Sequence, residues 1–399
     1  MRRRGALLFA GGSMSWAVAQ WLLIWMFARF AGGPEAVGLY VLVLSIATPV
    51  FTFAQLGLRT VYLSLTVNYP WRSYFLLRFG GLLVAILALA LYFGASATVA
   101  LGLWMAVLLT KVADLYFDLL QARIQRSNNL ASLGLLNIAN SLGTIALAAV
   151  ALWVFGSVTA AIFASALMST VVAAVGQRLA VRQQFEPAAD ASGYREILGA
   201  GVPTTLSETL AALATYLPVL VLSRIAEESR VGVFAAASYL LTFANLAGAI
   251  AKNLLITSFR QSLEGDGVKA LSRRSHRLAF KIGLVGCAGT PLVILLGDPM
   301  LRLFYGDEFG MAYGELSLLA IATIPIAPSY IYSTTLNVLH RFSIQAWIWV
   351  TAVVLGLVVG VACIVLNAAP LSVALAVAIA ASWGRLLGTF LFVMRSARR

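Results

Sequence analysis

Several stretches of this chain set ionisable side chains inside long apolar runs, where a charge is costly and marks an ion site, a proton relay or a substrate path. In the densest, Lys111, Asp114, Asp118 and Gln121 fall within about 80° of one another at 100° per residue, so a helix presents all four on one face. A carboxylate there could bind a coupling cation or accept hydrogen bonds from a polar substrate. The plainer alternative is a Lys111–Asp114 pair at i,i+3 that neutralises itself, with Asp118 and Gln121 near the headgroups. Two carboxylates against one lysine leave net negative charge, which favours a role beyond neutralisation.

Glu208 lies in the middle of an apolar run and is bracketed by Pro203 and Pro218, each of which removes a backbone donor. Gly201, Thr204, Glu208 and Thr215 share an arc of about 60°, one polar face. A carboxyl so placed can carry a proton or pair with a cation such as Lys252; the alternative is a static buried pair that fixes helix packing. Ser238, Asn245 and Lys252 recur at seven-residue spacing, one stripe along a helix. Lys252 and Arg385 are cations suited to an anionic group if they face a cavity, and snorkel to the interface if they do not. Arg59 reads as a topology or lipid-headgroup residue.

The elements that must position these groups follow from composition. Hydrophobic residues make up 61% of the 399 and charged residues 11%, with mean hydropathy +0.91. Soluble domains run near 45–50% and 25%, so this is an all-α polytopic membrane protein. Charges and turn residues divide it into twelve expected spans: 5–28, 37–58, 74–93, 97–121, 132–155, 157–181, 196–222, 231–258, 276–297, 313–337, 342–366 and 370–393. The charge-free tracts 127–177 and 342–384 are each too long for one span and read as hairpins.

Net charge +13 raises the possibility of nucleic acid, but the basic residues come in short clusters between apolar runs. With the N-terminus in the cytoplasm, 21 of the 28 Lys and Arg fall in inner loops and tails, so both termini are expected on the cytoplasmic side. Residues 2–4 and the run after them imitate a signal peptide, yet the apolar run continues uncharged from 5 to 28, so an uncleaved first helix is expected. Cys287 and Cys363 sit in apolar runs without metal spacing, and His276 and His340 are the sole histidines, so neither a disulfide nor a metal site is expected. No loop is long enough for a soluble catalytic domain. Gly356…Gly360 and Gly384…Gly388 mark close helix packing.

The pattern restarts at mid-chain. Arg29-Phe-Ala-Gly-Gly-Pro-Glu-Ala-Val-Gly38 before the second span matches Arg224-Ile-Ala-Glu-Glu-Ser-Arg-Val-Gly232 before the eighth, with one gap. Six helices per half, both starting inside, predict parallel repeats in two pseudo-symmetric lobes, 1–195 and 196–399.

The chain also resembles a known family. The fragment Ala31-Gly-Gly-Pro-Glu-Ala-Val-Gly-Leu-Tyr40, the basic Gln121-Ala-Arg-Ile-Gln-Arg126, and Leu296-Gly-Asp298 followed by Phe304-Tyr-Gly-Asp-Glu-Phe309 are similar, in order and spacing, to the multidrug/oligosaccharidyl-lipid/polysaccharide flippase superfamily. Within it the polysaccharide-biosynthesis branch is nearest. The resemblance implies a twelve-helix, two-lobed, V-shaped transporter that moves a polyprenyl-diphosphate-linked oligosaccharide by alternating access. Lys252 and Arg385 would hold the diphosphate, while Glu208, Asp114 and its neighbours Asp118 and Lys111, with Asn245, would contact sugar or couple a proton or Na⁺. Partners would be the lipid-linked oligosaccharide, membrane lipids and the polysaccharide polymerase or ligase machinery, with no cofactor beyond a coupling ion. A cation-coupled multidrug exporter on the same fold is a second reading, although the first span offers only Ser13, Ser15 and Gln20 for coupling. A membrane polymerase or ligase is the third, disfavoured by short outer loops without histidine.

Overall fold

The computed structural model describes residues 2–64, 67, 69–95, 101–127, 129–181, 193–339 and 341–398. His340, Arg182 and the expected start of the fourth span at 97 lie outside the described residues. Among the described residues every regular element is helical. The chain divides into two compact units, Met1–Thr209 and Leu210–Arg399, and the boundary falls inside a helix.

The first unit holds α1 (Arg2–Phe30), α2 (Gly33–Ala54), α3 (Leu58–Ser64), α4 (Trp71–Ala95), α5 (Leu101–Arg126), α6 (Leu130–Phe155), α7 (Val158–Val181) and the first part of α8 (Tyr194–Leu222). The second holds the rest of α8, then α9 (Glu228–Ala237), α10 (Tyr239–Tyr305), α11 (Tyr313–Thr323), α12 (Ile326–Val338), α13 (Phe342–Val365) and α14 (Pro370–Arg398). Eleven segments of the described residues are long and apolar enough to cross a membrane. The remaining long helix is α5, whose 26 residues carry Lys111, Asp114 and Asp118. Each of the twelve expected spans has its counterpart, and the chain is a multi-pass membrane protein.

Local chemistry explains where the helices depart from the expected bounds. The second span stops at Ala54 instead of 58 because Leu56 (φ 51°) and Gly57 (φ 57°) are left-handed, and a short α3 restarts beyond them. The tenth span splits into α11 and α12 at Pro325, which has no N–H to continue the ladder. Span eight is divided at Ser238 into α9 and the start of α10, and α10 then runs on through span nine, turned at Gly267, whose φ of 79° and ψ of 179° are non-helical. By contrast α8 passes unbroken through Pro203 and Pro218. Both expected hairpins form, turning at Gly156 (φ 60°) between α6 and α7 and at Asn367 (φ 54°) between α13 and α14.

Small residues bring helices together where the site is built, since without a Cβ two backbones can touch. A Cβ on Gly12 of α1 would sit 2.7 Å from the Gly134 carbonyl oxygen of α6, and one on Gly134 would collide with the Leu8 backbone. Similarly, Gly201 of α8 lies against the Leu56 carbonyl oxygen at the α2–α3 break. In the second unit, Gly356 and Gly360 pack on Val377, and Gly384 and Gly388 on Leu355 and Ile348, which is the expected use of those spacings. The loop after α10 is stapled by Asp298: it accepts from Arg302 Nε at 2.8 Å and from the Met311 N–H at 2.9 Å.

Candidate functional site

Each unit contains its own cavity. In the first, α1 and α6, in contact at Gly12 and Gly134, form one side of a cavity whose other side is α5. The cavity, of about 280 Å³, is lined by Ser13, Trp16, Asp114, Gln121, Asn137 and Asn140. Lys111 opposes the charge of Asp114 from one turn earlier, and the Ser169 hydroxyl of α7 reaches both the Asp114 carboxylate and, at 3.5 Å, Asn140 Oδ1.

The expected single face of α5 divides. Asp114 turns to the cavity, whereas Asp118 is claimed by two arginines: Arg59 Nη1 donates to Oδ1 at 3.3 Å and Arg78 Nη2 to Oδ2 at 2.9 Å. Arg59 also donates to Gln121 Oε1 at 2.8 Å and to Gln125 Oε1 at 3.2 Å. This corrects two expectations. The α5 constellation has no uncompensated negative charge, and Arg59 is an intramolecular partner of Asp118 instead of a headgroup ligand. Arg78 is a buried residue of α4 with 3% exposure; its Nε and Nη1 are buried without a hydrogen-bond partner among the described residues. A buried charge costs several kcal/mol unless matched, so Asp118 and the nearby Glu208, whose charge also acts on Arg78, are what make it tolerable.

Glu208 itself is exposed on α8; of the residues expected on its face, Thr204 is half-buried, Thr215 is exposed and Gly201 is buried against Leu56. The basic segment Gln121–Arg126 is the end of α5 and not a loop. Its arginines lie over rings, Arg123 at 4.9 Å from the Trp71 centroid and Arg126 at 4.9 Å from Tyr62.

The second unit's cavity, about 70 Å³, is lined in part by Thr215, Asn245, Ser329, Trp349, Ser382 and Arg385. Arg385 is 7% exposed. Its guanidinium lies 4.1 Å from the Tyr330 ring centroid and 4.5 Å from that of Trp349, a double cation–π contact. Tyr330 can approach because Gly248 of α10 offers no Cβ, which would collide with the ring. Its hydroxyl donates to Asn245 Oδ1 at 3.3 Å, while Asn245 Nδ2 donates to the Leu241 carbonyl at 2.9 Å. Snorkelling is therefore excluded for Arg385. Of the stripe expected on the eighth span, Asn245 reaches the cavity, Ser238 instead bonds the Ala235 carbonyl at the α9–α10 junction, and Lys252 is half-buried on α10. His276 bonds Tyr332 at 3.0 Å and Ser272 at 3.1 Å in the unit's apolar core. Among the described residues no group of three His, Cys, Asp or Glu converges as a metal site.

Sequence reasoning missed Arg78, although it stands within the apolar run 74–93 and so signalled an intramembrane charge. It also passed over Trp16, Asn137, Asn140, Tyr330 and Trp349, whose types have no spacing signature.

Over 98% of this chain and 88% of the other, the structure is similar to that of the lipid II flippase MurJ in an inward closed conformation, with TM-score 0.71 and 13% identity. It is also similar to an outward-facing multidrug resistance MATE family transporter of the MOP superfamily, with TM-score 0.67 and 12% identity over 100% and 95% of the two chains. The capsular polysaccharide biosynthesis protein CapF of Staphylococcus aureus is 20% identical over 152 residues, 38% of each chain. The fold is thus that of MurJ and the MATE transporters. Because the profile of the polysaccharide biosynthesis protein family matches residues 3–251, well over half the chain, the protein belongs to that family.

Proposed function

We propose that the chain is a flippase that carries a polyprenyl-diphosphate-linked oligosaccharide across the bacterial inner membrane for polysaccharide assembly, by alternating access and without covalent catalysis. A sugar cannot cross roughly 30 Å of hydrocarbon unaided, so polar groups within the spans must replace its water. The observation that carries the reading is Arg385. It is a buried guanidinium in a membrane-spanning helix, faced by Tyr330 and Trp349 with no carboxylate pairing it among the described residues, and it borders a cavity. Such a fork matches a phosphate oxygen pair. Lys252 on α10 supplies a further cation, and Asn245 a polar neighbour, in the same unit. Asp114 with Lys111, and Glu208, would contact the sugar or couple a proton or Na⁺, while Asp118 would act through its hold on Arg59 and Arg78. The family match and the fold shared with MurJ support this reading, with both termini in the cytoplasm and the polymerase or ligase machinery receiving the product outside.

The test is a deletion strain complemented with the wild-type chain. Full lipid-linked units that accumulate in the inner leaflet of the deletion strain, and surface polysaccharide restored by the chain, are expected. Unpolymerised units outside would identify a polymerase instead, and altered dye efflux with normal polysaccharide an exporter.

A further inference from the structure

The geometry points to the first unit's cavity as a subsite for one neutral sugar ring, a hexose or N-acetylhexosamine, distinct from the cationic cavity around Arg385; its ligand class rests on the flippase reading. Size is the first reason. About 280 Å³ is near the lower end of small-molecule sites, roughly 300 Å³ upward, and far above one water's share of about 30 Å³.

Charge is the second. The cavity's one carboxylate, Asp114, is opposed by Lys111, so neither a diphosphate nor a bare cation is favoured by a net field. What remains is a set of neutral donors and acceptors, the chemistry that a polyhydroxyl ring reads in both directions.

Orientation is the third. Gln121 Oε1 is held by Arg59 Nη1 at 2.8 Å, so Gln121 Nε2 turns to donate to Asn137 Oδ1 at 3.4 Å. That bond fixes the Asn137 amide and leaves its NH₂ as a donor at the cavity wall. Asn140 Oδ1, 3.5 Å from the Ser169 hydroxyl, and the Asp114 carboxylate both belong to cavity-lining residues and keep acceptor capacity for a ligand hydroxyl. Trp16 adds an indole wall, suited to the apolar face of a pyranose. Arg59 is in this account a positioning residue for Asn137, two hydrogen bonds away.

The experiment uses the full chain in lipid nanodiscs with Cys287→Ser and Cys363→Ser, carrying Ser13→Cys as a reporter for maleimide labelling. The probes are glucose, galactose, mannose and their N-acetyl-2-amino forms, with sodium chloride against choline chloride and inorganic pyrophosphate as the other arms. At twice the dissociation constant of a bound sugar, labelling slows about threefold, and Asn137→Ala on the same background abolishes the protection. On the wild-type chain the same sugar raises the unfolding temperature, and Trp16→Ala removes that shift, which keeps the test valid if the reporter variant does not fold. Protection by sodium alone, by pyrophosphate, by no sugar, or protection unchanged in Asn137→Ala overturns the subsite. If the wild-type chain still restores surface polysaccharide in the deletion strain while no sugar protects, the subsite fails and the flippase reading stands.

Discussion

Arg78 Nη2 lies 2.9 Å from Asp118 Oδ2 while the Nε and Nη1 of the same guanidinium stay buried without a hydrogen-bond partner among the described residues. Asp118 meanwhile takes Arg59 on its other oxygen. One carboxylate therefore holds α3, α4 and α5 together, and it fixes the arginine that orients Gln121 toward the first cavity.

Asp118→Ala is expected to cost about 3–5 kcal/mol, because it strands a buried charge instead of merely removing an attraction. Denaturant unfolding of the solubilised protein measures it. The double variant Arg78→Met/Asp118→Leu should recover most of the loss, since similar apolar volumes carry no desolvation penalty. A double variant no more stable than Asp118→Ala would refute this account of the cluster.

Arg385→Lys should retain protein level yet weaken inorganic pyrophosphate binding by about tenfold, or about 1.4 kcal/mol, in calorimetry on the purified chain. A lysine keeps the charge, but it loses both the planar fork and the stacking between Tyr330 and Trp349. Equal affinity in Arg385→Lys would show that only point charge matters there.

The close approach of α8 to the α2–α3 break gives a paired test. Gly201→Ala should destabilise by about 1–3 kcal/mol, because the new methyl meets a backbone carbonyl that cannot swing aside. Gly80→Ala on α4, where a Cβ meets nothing within 4 Å, should instead stabilise by up to about 1 kcal/mol through helix propensity. The comparison is read from the two unfolding midpoints.

Loss of the Asp298 staple should open the loop after α10. Asp298→Ala removes the acceptor of both Arg302 Nε and the Met311 N–H, so cleavage of this segment by an added protease should rise about fivefold, equivalent to roughly 1 kcal/mol of local opening. In Asp298→Asn the side-chain oxygen can still accept from Met311, and the increase should be smaller.

The sequence by itself determined the class and the count of spans. Twenty-residue apolar runs admit no other solution in hydrocarbon, where the backbone must satisfy its own hydrogen bonds, and Gly156 and Asn367 turn both hairpins where the charge-free tracts demanded a break. It also placed Lys111, Asp114, Asp118 and Gln121 on one helix face, since that follows from periodicity alone. What only the tertiary structure decided is the partner of each charge. Asp114 and Asp118 are one turn apart on α5 with the same chemistry, yet one lines a cavity and the other is held by Arg59 and Arg78 from α3 and α4. Likewise nothing in the neighbourhood of Arg385 in sequence separates a snorkelling side chain from one enclosed by Tyr330 and Trp349, because those rings arrive from α12 and α13. Helical periodicity fixes the direction in which a side chain leaves its own helix; what it meets depends on neighbours tens or hundreds of residues away in the chain, brought close where Gly12, Gly134 and Gly248 allow backbones and rings to touch.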